Sequence, residues 1–169
     1  GLIEIGMVPQ SVDTDELGEQ SPEALALTAV NPDSTAIPVA RSNGVLVANV
    51  FPIGGMLPGR ASLIQLDGWT NDDMAVRRNA GPVISWPSSG SGRFRRRGPT
   101  PPEETGRAAR QQAQIDAAFA AAQAWLDARI TDPSVALDIR HEALVPALRG
   151  EVPVFVLANT VEQIESAVQ

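Results

Sequence analysis

The chain has 169 residues, 43% hydrophobic and 20% charged, with 20 acidic and 13 basic side chains and a net charge of -7. That balance suits one globular domain with a real core, and its acidity withholds the basic footprint that nucleic acid requires. With no cysteine and one histidine, His141, the chain cannot form disulfides, use a thiol nucleophile, or alone supply the two or three His ligands common in hydrolytic zinc sites.

No apolar run approaches the roughly 20 residues of a membrane helix. No basic region followed by an apolar core marks a signal peptide. A soluble protein is expected, without nucleic-acid or membrane partners; cytoplasm and export both stay open. The opening Gly1-Leu2-Ile3-Glu4 reads like the middle of a longer chain, so a fragment is expected.

Residues 1 to 20 mix apolar and acidic side chains without a period and predict an irregular, partly exposed segment. Ser21-Pro22-Glu23 has the form of a helix start, with a Ser cap and Pro at the first position. That helix should end near Val30, before Asn31-Pro32. A second helix should run to about Ser42, kinked at Pro38, with Asn43-Gly44 as its stop.

Val45 to Phe51 is an apolar, β-branched run, the pattern of a strand buried on both faces of a parallel sheet. A glycine loop follows (Gly54, Gly55, Gly59), then a second apolar run, Ala61 to Leu66, closed by Asp67-Gly68. Thr70 to Asp73 resembles a capping sequence for a short helix that Gly81 would end. Pro82 to Trp86 predicts a second buried strand.

Ser88 to Pro102 changes to Gly, Ser and Pro, with Arg93, Arg95, Arg96 and Arg97 around Phe94. It predicts a mobile surface loop within the domain. A solvated excursion accounts for it; an anion or partner contact is the competing reading. Thr100 to Glu103 has capping-box spacing, and a long helix should follow, about Pro101 to Ile130. Ile115, Phe119, Ala122, Trp125 or Leu126, and Ile130 form its packed face, against Arg107, Arg110, Gln114 and Asp127. Leu137 to Leu148 predicts another helix. Val152 to Ala158 predicts a third buried strand, and Thr160 to Gln163 a capping box into a last helix. The fold class is α/β: a parallel sheet with alternating helices, read as an incomplete (β/α)8-barrel domain over 1 to 169.

In such folds, the loop leaving the C-terminal end of a strand is where ligands bind. Gly54 and Gly55 therefore become candidate substrate contacts through backbone N–H groups, against a plain packing role. Arg60 suits a carboxylate held bidentately, or an acidic neighbour. Asp67 and Trp69 could line a pocket as acceptor and apolar wall, or form a tight turn. Asp72 and Asp73 suit the first turn of a helix. His141 and Glu142 point about 100° apart on a helix, which favours a surface histidine over an acid–base pair. No G-x-S-x-G nucleophile motif is present. No catalytic residue and no metal ligand is assigned.

Several segments together resemble the imidazolonepropionase-related bacterial branch of the amidohydrolase superfamily. They are L-I-E-I-G at Leu2 to Gly6, D-T-D-E-L-G-E at Asp13 to Glu19, A-V-N-P-D-S at Ala29 to Ser34 and I-P-V-A-R-S-N-G at Ile37 to Gly44. The longest is G-G-M-L-P-G-R-A-S-L-I-Q-L-D-G-W-T-N-D-D-M at Gly54 to Met74, and Ala143 to Asn159 also fits. The resemblance implies a metal-dependent hydrolase of amide or cyclic-amide C–N bonds, with zinc the expected cation and a small molecule as substrate. It also implies a His-x-His pair ahead of Leu2 and further ligands beyond Gln169. Leu157 stands where many relatives place another His, and an aliphatic side chain binds no cation. This chain alone is therefore expected to be inactive and metal-free. A non-catalytic α/β module that binds a protein partner is the competing function, and unfinished sheet edges predict self-association.

Overall fold

A computed structural model describes residues 18–87 and 102–168. The expectations for residues 1 to 17, for the Arg-rich loop and for the Thr100 cap lie outside the described residues. Within them, the fold is mixed α/β around one curled four-stranded sheet, a half-barrel. The strands are β1 (Val47–Val50), β2 (Gly59–Gln65), β3 (Ala75–Ser85) and β4 (Phe155–Leu157), in that spatial order. The helices are α1 (Ala36–Ser42), α2 (Asn71–Met74), α3 (Pro102–Thr131), α4 (Ile139–Leu148) and α5 (Val161–Val168). No helix among them is long and apolar enough to cross a membrane.

The sheet is not wholly parallel. β2 runs antiparallel to both β1 and β3, and only β3 and β4 pair in parallel. Two reversals cancel, so β1, β3 and β4 share one direction. The apolar run after the glycine loop is thus a strand inserted between two strands of the alternating pattern. β3 is also longer than expected. The helix at Thr70 is a single turn, and the chain from Ala75 onward extends through Gly81-Pro82 instead of stopping there.

Backbone pairing also overrides the helix expected from Pro22 to Val30. Ser21 N–H donates to Leu57 O at 2.7 Å, and Ala24 O accepts Arg60 N–H at 2.8 Å. Those groups are then unavailable to a helix. Only one 3-10 turn remains, Ala26–Ala29. Downstream, Asn31 Oδ1 accepts Asp33 N–H at 3.1 Å, which delays α1 to Ala36.

The curl has a local cause. Ala61 pairs with Gly81 but Leu63 with Arg77, so β3 carries extra residues opposite β2. Such bulges bend a strand and raise its twist. They also leave backbone groups without ladder partners. The fully buried Ser62 hydroxyl serves one, donating to Arg78 O at 2.6 Å while accepting Leu27 N–H at 3.2 Å.

Helices cover one face. Ile37 of α1 packs with Leu27, Ile64, Leu66 and Met74; Ile115 of α3 packs with Met56, Leu57 and Ile84. On the other face Phe51, just after β1, meets Phe155 of β4 edge-on, with centroids 5.2 Å apart. These residues belong to opposite edges of the sheet, so their contact spans its concave side. Neither edge is buried on both faces as the apolar runs suggested: Leu46 and Val47 are exposed, and β4 is only half-buried. Along α3, Ala108, Ile115 and Ala122 are buried, while Ile130 lies exposed at the helix end.

Gly81 sets how closely β4 approaches. Its φ is 141°, and a Cβ there would overlap the Pro153 carbonyl. Gly81→Ala should lower unfolding free energy by roughly 3 kcal/mol or more in urea titrations. Ser62→Ala should cost about 1–3 kcal/mol by orphaning buried backbone groups. Gly44→Ala has open space around it and should cost only about 1–2 kcal/mol of left-handed strain.

Candidate functional site

Because β1, β3 and β4 share a direction, their C-terminal ends form one mouth. Gly54 and Gly55 lie there, with φ of 104° and 67°. Their loop is backed by residues 18 and 19: a Cβ on Gly55 would strike the Gly18 and Glu19 carbonyls. The next amides, Met56 and Leu57, both donate to Glu19 O, at 2.8 and 3.1 Å. These two are committed to the fold and cannot cradle an anion.

Trp86 and α5 complete the rim. Gln163 is buried: its Oε1 accepts Asn159 N–H and Thr160 N–H, and its Nε2 donates to Trp86 O at 2.8 Å. Thr160 Oγ1 accepts Gln163 N–H at 3.2 Å, so the expected capping box is present. Trp86 Nε1 donates to Ser166 Oγ at 2.7 Å. Asn49, on β1 next to this mouth, has a buried Oδ1 without a hydrogen-bond partner. A lone amide inside the apolar run Val45 to Phe51 is its only sequence signal.

The five predicted contacts do not converge. Arg60 sits near the start of β2, and Asp67 and Trp69 follow its other end. At about 3.3 Å per residue the two groups lie roughly 20 Å apart. Arg60 is held by its own neighbours: Nη2 donates to Glu23 O at 2.8 Å. Desolvation lowers its pKa most, and Glu23 and Glu142 push back. Glu23 in turn lies 3.6 Å from Arg140 Nε. Asp67 pairs with Arg41 at the surface. Trp69 is 93% exposed.

A shallow cavity of about 370 Å³ opens on the helix side instead, lined by Gln20, Pro22, Gln114, Asp138, Arg140 and His141. His141 is half-buried rather than a free surface group. It sits between Asp138 Oδ2, 3.6 Å from Nδ1, and the Trp125 ring, 5.8 Å away. Trp125 Nε1 donates to Ala136 O at 3.1 Å and carries Arg129 over its face. This stack fastens the end of α3 to the loop before α4.

Among the described residues no three His, Asp or Glu side chains converge to hold a metal. Leu157 packs toward Ala61, Ala80 and Val83. The donor set among the described residues does not fit the divalent cation that the family resemblance implies.

No protein-family model matches the chain, and no curated protein matches it. The crystal structure of an amidohydrolase from Thermotoga maritima MSB8 is similar in fold, with a TM-score of 0.79 and 20% sequence identity. The match covers 99% of this chain and 45% of that one, so the chain spans less than half of that protein's length.

Replacing Trp69 with Ala should leave stability within about 0.5 kcal/mol and remove the most iodide-accessible share of the parent's tryptophan fluorescence. The α4 cap gives a pH test. Asp138 Oδ1 accepts Arg140 N–H and His141 N–H, which hold its carboxyl below the usual carboxylate range. A depressed folded pKa stabilises the fold above the unfolded value of about 4, and that gain is lost as pH falls through the folded pKa. The stability advantage of the parent over Asp138→Ala should therefore be present at neutral pH and shrink in acid, read as urea midpoints at both pH values.

Proposed function

We propose that the chain is the scaffold portion of an amidohydrolase-type, metal-dependent hydrolase acting on amide or cyclic-amide C–N bonds of a small molecule. On this reading it belongs to a (β/α)8 barrel of the imidazolonepropionase-related kind, and residues other than those described hold the cation. The observation that carries the reading is the backbone agreement with the Thermotoga maritima amidohydrolase over 99% of the chain. The sequence segments quoted above, Gly54 to Met74 foremost, support the same family independently of the fold. The shared direction of β1, β3 and β4 supports it too, because it gathers Gly54, Gly55 and Asn49 at the end where such barrels work.

This chain's own contribution is positional. The Glu19 carbonyl and the Gly54-Gly55 turn shape one side of the mouth, and Gln163 ties α5 to the other. The Asn49 amide, left with a free buried acceptor, is the group best suited to orient a donor on a cyclic amide.

The test uses the polypeptide in its native coding context. It is assayed on hydantoin-like and dihydropyrimidine-like rings, with and without added zinc. Zinc-dependent ring opening is expected, reduced by Asn49→Leu through a raised KM. A folded polypeptide that binds no metal and leaves every C–N bond intact overturns the reading and leaves the partner-binding module in its place. The 169-residue chain on its own should retain no stoichiometric zinc after dialysis and show no turnover.

A further inference from the structure

The helix-side cavity is bounded by α3, by the start of α4 and by the segment that leads into Glu23. None of its lining residues belongs to β1 or β4, the strands at the two edges of the sheet. It lies instead within the helix layer, where α4 packs on α3 and on β3, and where Ile115 of α3 packs on Met56, Leu57 and Ile84. Its floor is apolar. Ala117, Ala118 and Ala121 come from one side of α3, and the fully buried Leu144 comes from α4.

The rim carries charge of both signs. Asp138 and Arg140 line the same cavity, beside His141 and the amides of Gln20 and Gln114. The two opposite charges do not neutralise each other. Among the described residues the ion-pair partner of Arg140 is Glu23, whose Oε1 lies 3.6 Å from Nε, and the Arg140 side chain stays 63% exposed. Asp138 Oδ1 is taken by two backbone N–H groups. Its Oδ2 has His141 Nδ1 beside it at 3.6 Å, beyond hydrogen-bond range. A carboxylate oxygen and the outer nitrogens of a guanidinium therefore keep unused capacity above an apolar floor.

We propose that this cavity binds a small aliphatic α-amino acid as its zwitterion. The ammonium goes to Asp138 and the carboxylate to Arg140, and the side chain lies over the alanines and Leu144.

Charge selects that class. A bare amine leaves Arg140 without a counter-charge, and a bare carboxylate must approach Asp138. A zwitterion answers both. The planar fork of Arg suits a carboxylate, because it presents paired N–H donors. Size agrees. A cavity of about 370 Å³ is at the small end of ligand pockets, which suits an amino acid better than a longer peptide. A shallow site and a ligand of so few atoms give binding in the millimolar range. The proposal rests on this cavity alone and not on the hydrolase reading, so either can fail without the other.

His141 is the chain's single histidine, so its ring resonances report on the cavity without overlap. The full 169-residue chain is titrated with L-leucine at fixed neutral pH, up to tens of millimolar, and followed by NMR of that ring. A saturable shift is expected. Isoamylamine, which lacks the carboxylate, and isocaproate, which lacks the ammonium, should each bind roughly tenfold more weakly or worse. Glycine, with no side chain to cover the floor, should also bind more weakly. Asp138→Asn keeps an oxygen to cap α4 and drops the charge; Arg140→Gln drops the other charge. Each should weaken L-leucine roughly tenfold while the far-ultraviolet dichroism stays unchanged. The absence of a saturable shift with L-leucine overturns the proposal. So does isoamylamine or isocaproate binding as tightly as L-leucine, or both variants binding it like the parent.

Discussion

The fold turns on a mismatch between two neighbouring strands. Opposite β2, the chain of β3 has more residues than the ladder can pair, and the surplus is absorbed as bulges between Ala75 and Gly81. Bulging bends the sheet, and bending costs backbone hydrogen bonds unless something replaces them. The Ser62 hydroxyl does so on both sides, reaching Arg78 O and Leu27 N–H. A flat sheet would hold Phe51 and Phe155 at opposite margins. The curled one brings their rings edge to face across its hollow.

From that bend follows the arrangement of the mouth. β1, β3 and β4 point one way, and the reversed β2 threads between them. The glycine turn therefore sits beside the ends of β3 and β4, although the intervening strand runs back down the sheet. Gly81 completes the design, because the β4 lead-in at Pro153 occupies the space where any side chain would project. The concave face is lined by Ala61, Ala80 and Val83 together with the two phenylalanines and Leu157. It is an apolar interior with an amide, Asn49, near its opening.

Several charged side chains among the described residues serve structure. Arg60, Glu23, Arg140 and Glu142 form a mutually compensating group between the β2 start and α4. The pairs Arg41–Asp67 and Arg78–Asp72 lie at the surface, where ion pairs contribute little. His141 sits beside Asp138 and the Trp125 ring at the edge of the helix-side cavity, and its Nδ1 makes no hydrogen bond. What distinguishes the mouth is its position at the ends of three strands that run together.

Local chemistry was legible in the residues themselves. The caps at Thr70–Asp73 and Thr160–Gln163, the Asn43-Gly44 stop and the long α3 depend on contacts three or four positions apart, which a sequence displays directly. The glycine turn and the α/β class were equally readable, since apolar runs and breakers mark them. Direction and length of strands were not. Whether Ala61 to Leu66 runs with or against β1 depends on partners as far away as Val83, and the Pro22 segment gave up its helix only because Leu57 and Arg60 claimed its backbone. The same holds for the site. Residue type alone nominated Arg60, Asp67 and Trp69, but a strand separates the first from the other two, and solvent surrounds the last. Sequence determines what each short stretch can hydrogen-bond to itself; the tertiary fold decides what it must share with distant chain, and here that sharing set the curl, the mouth and the two open edges.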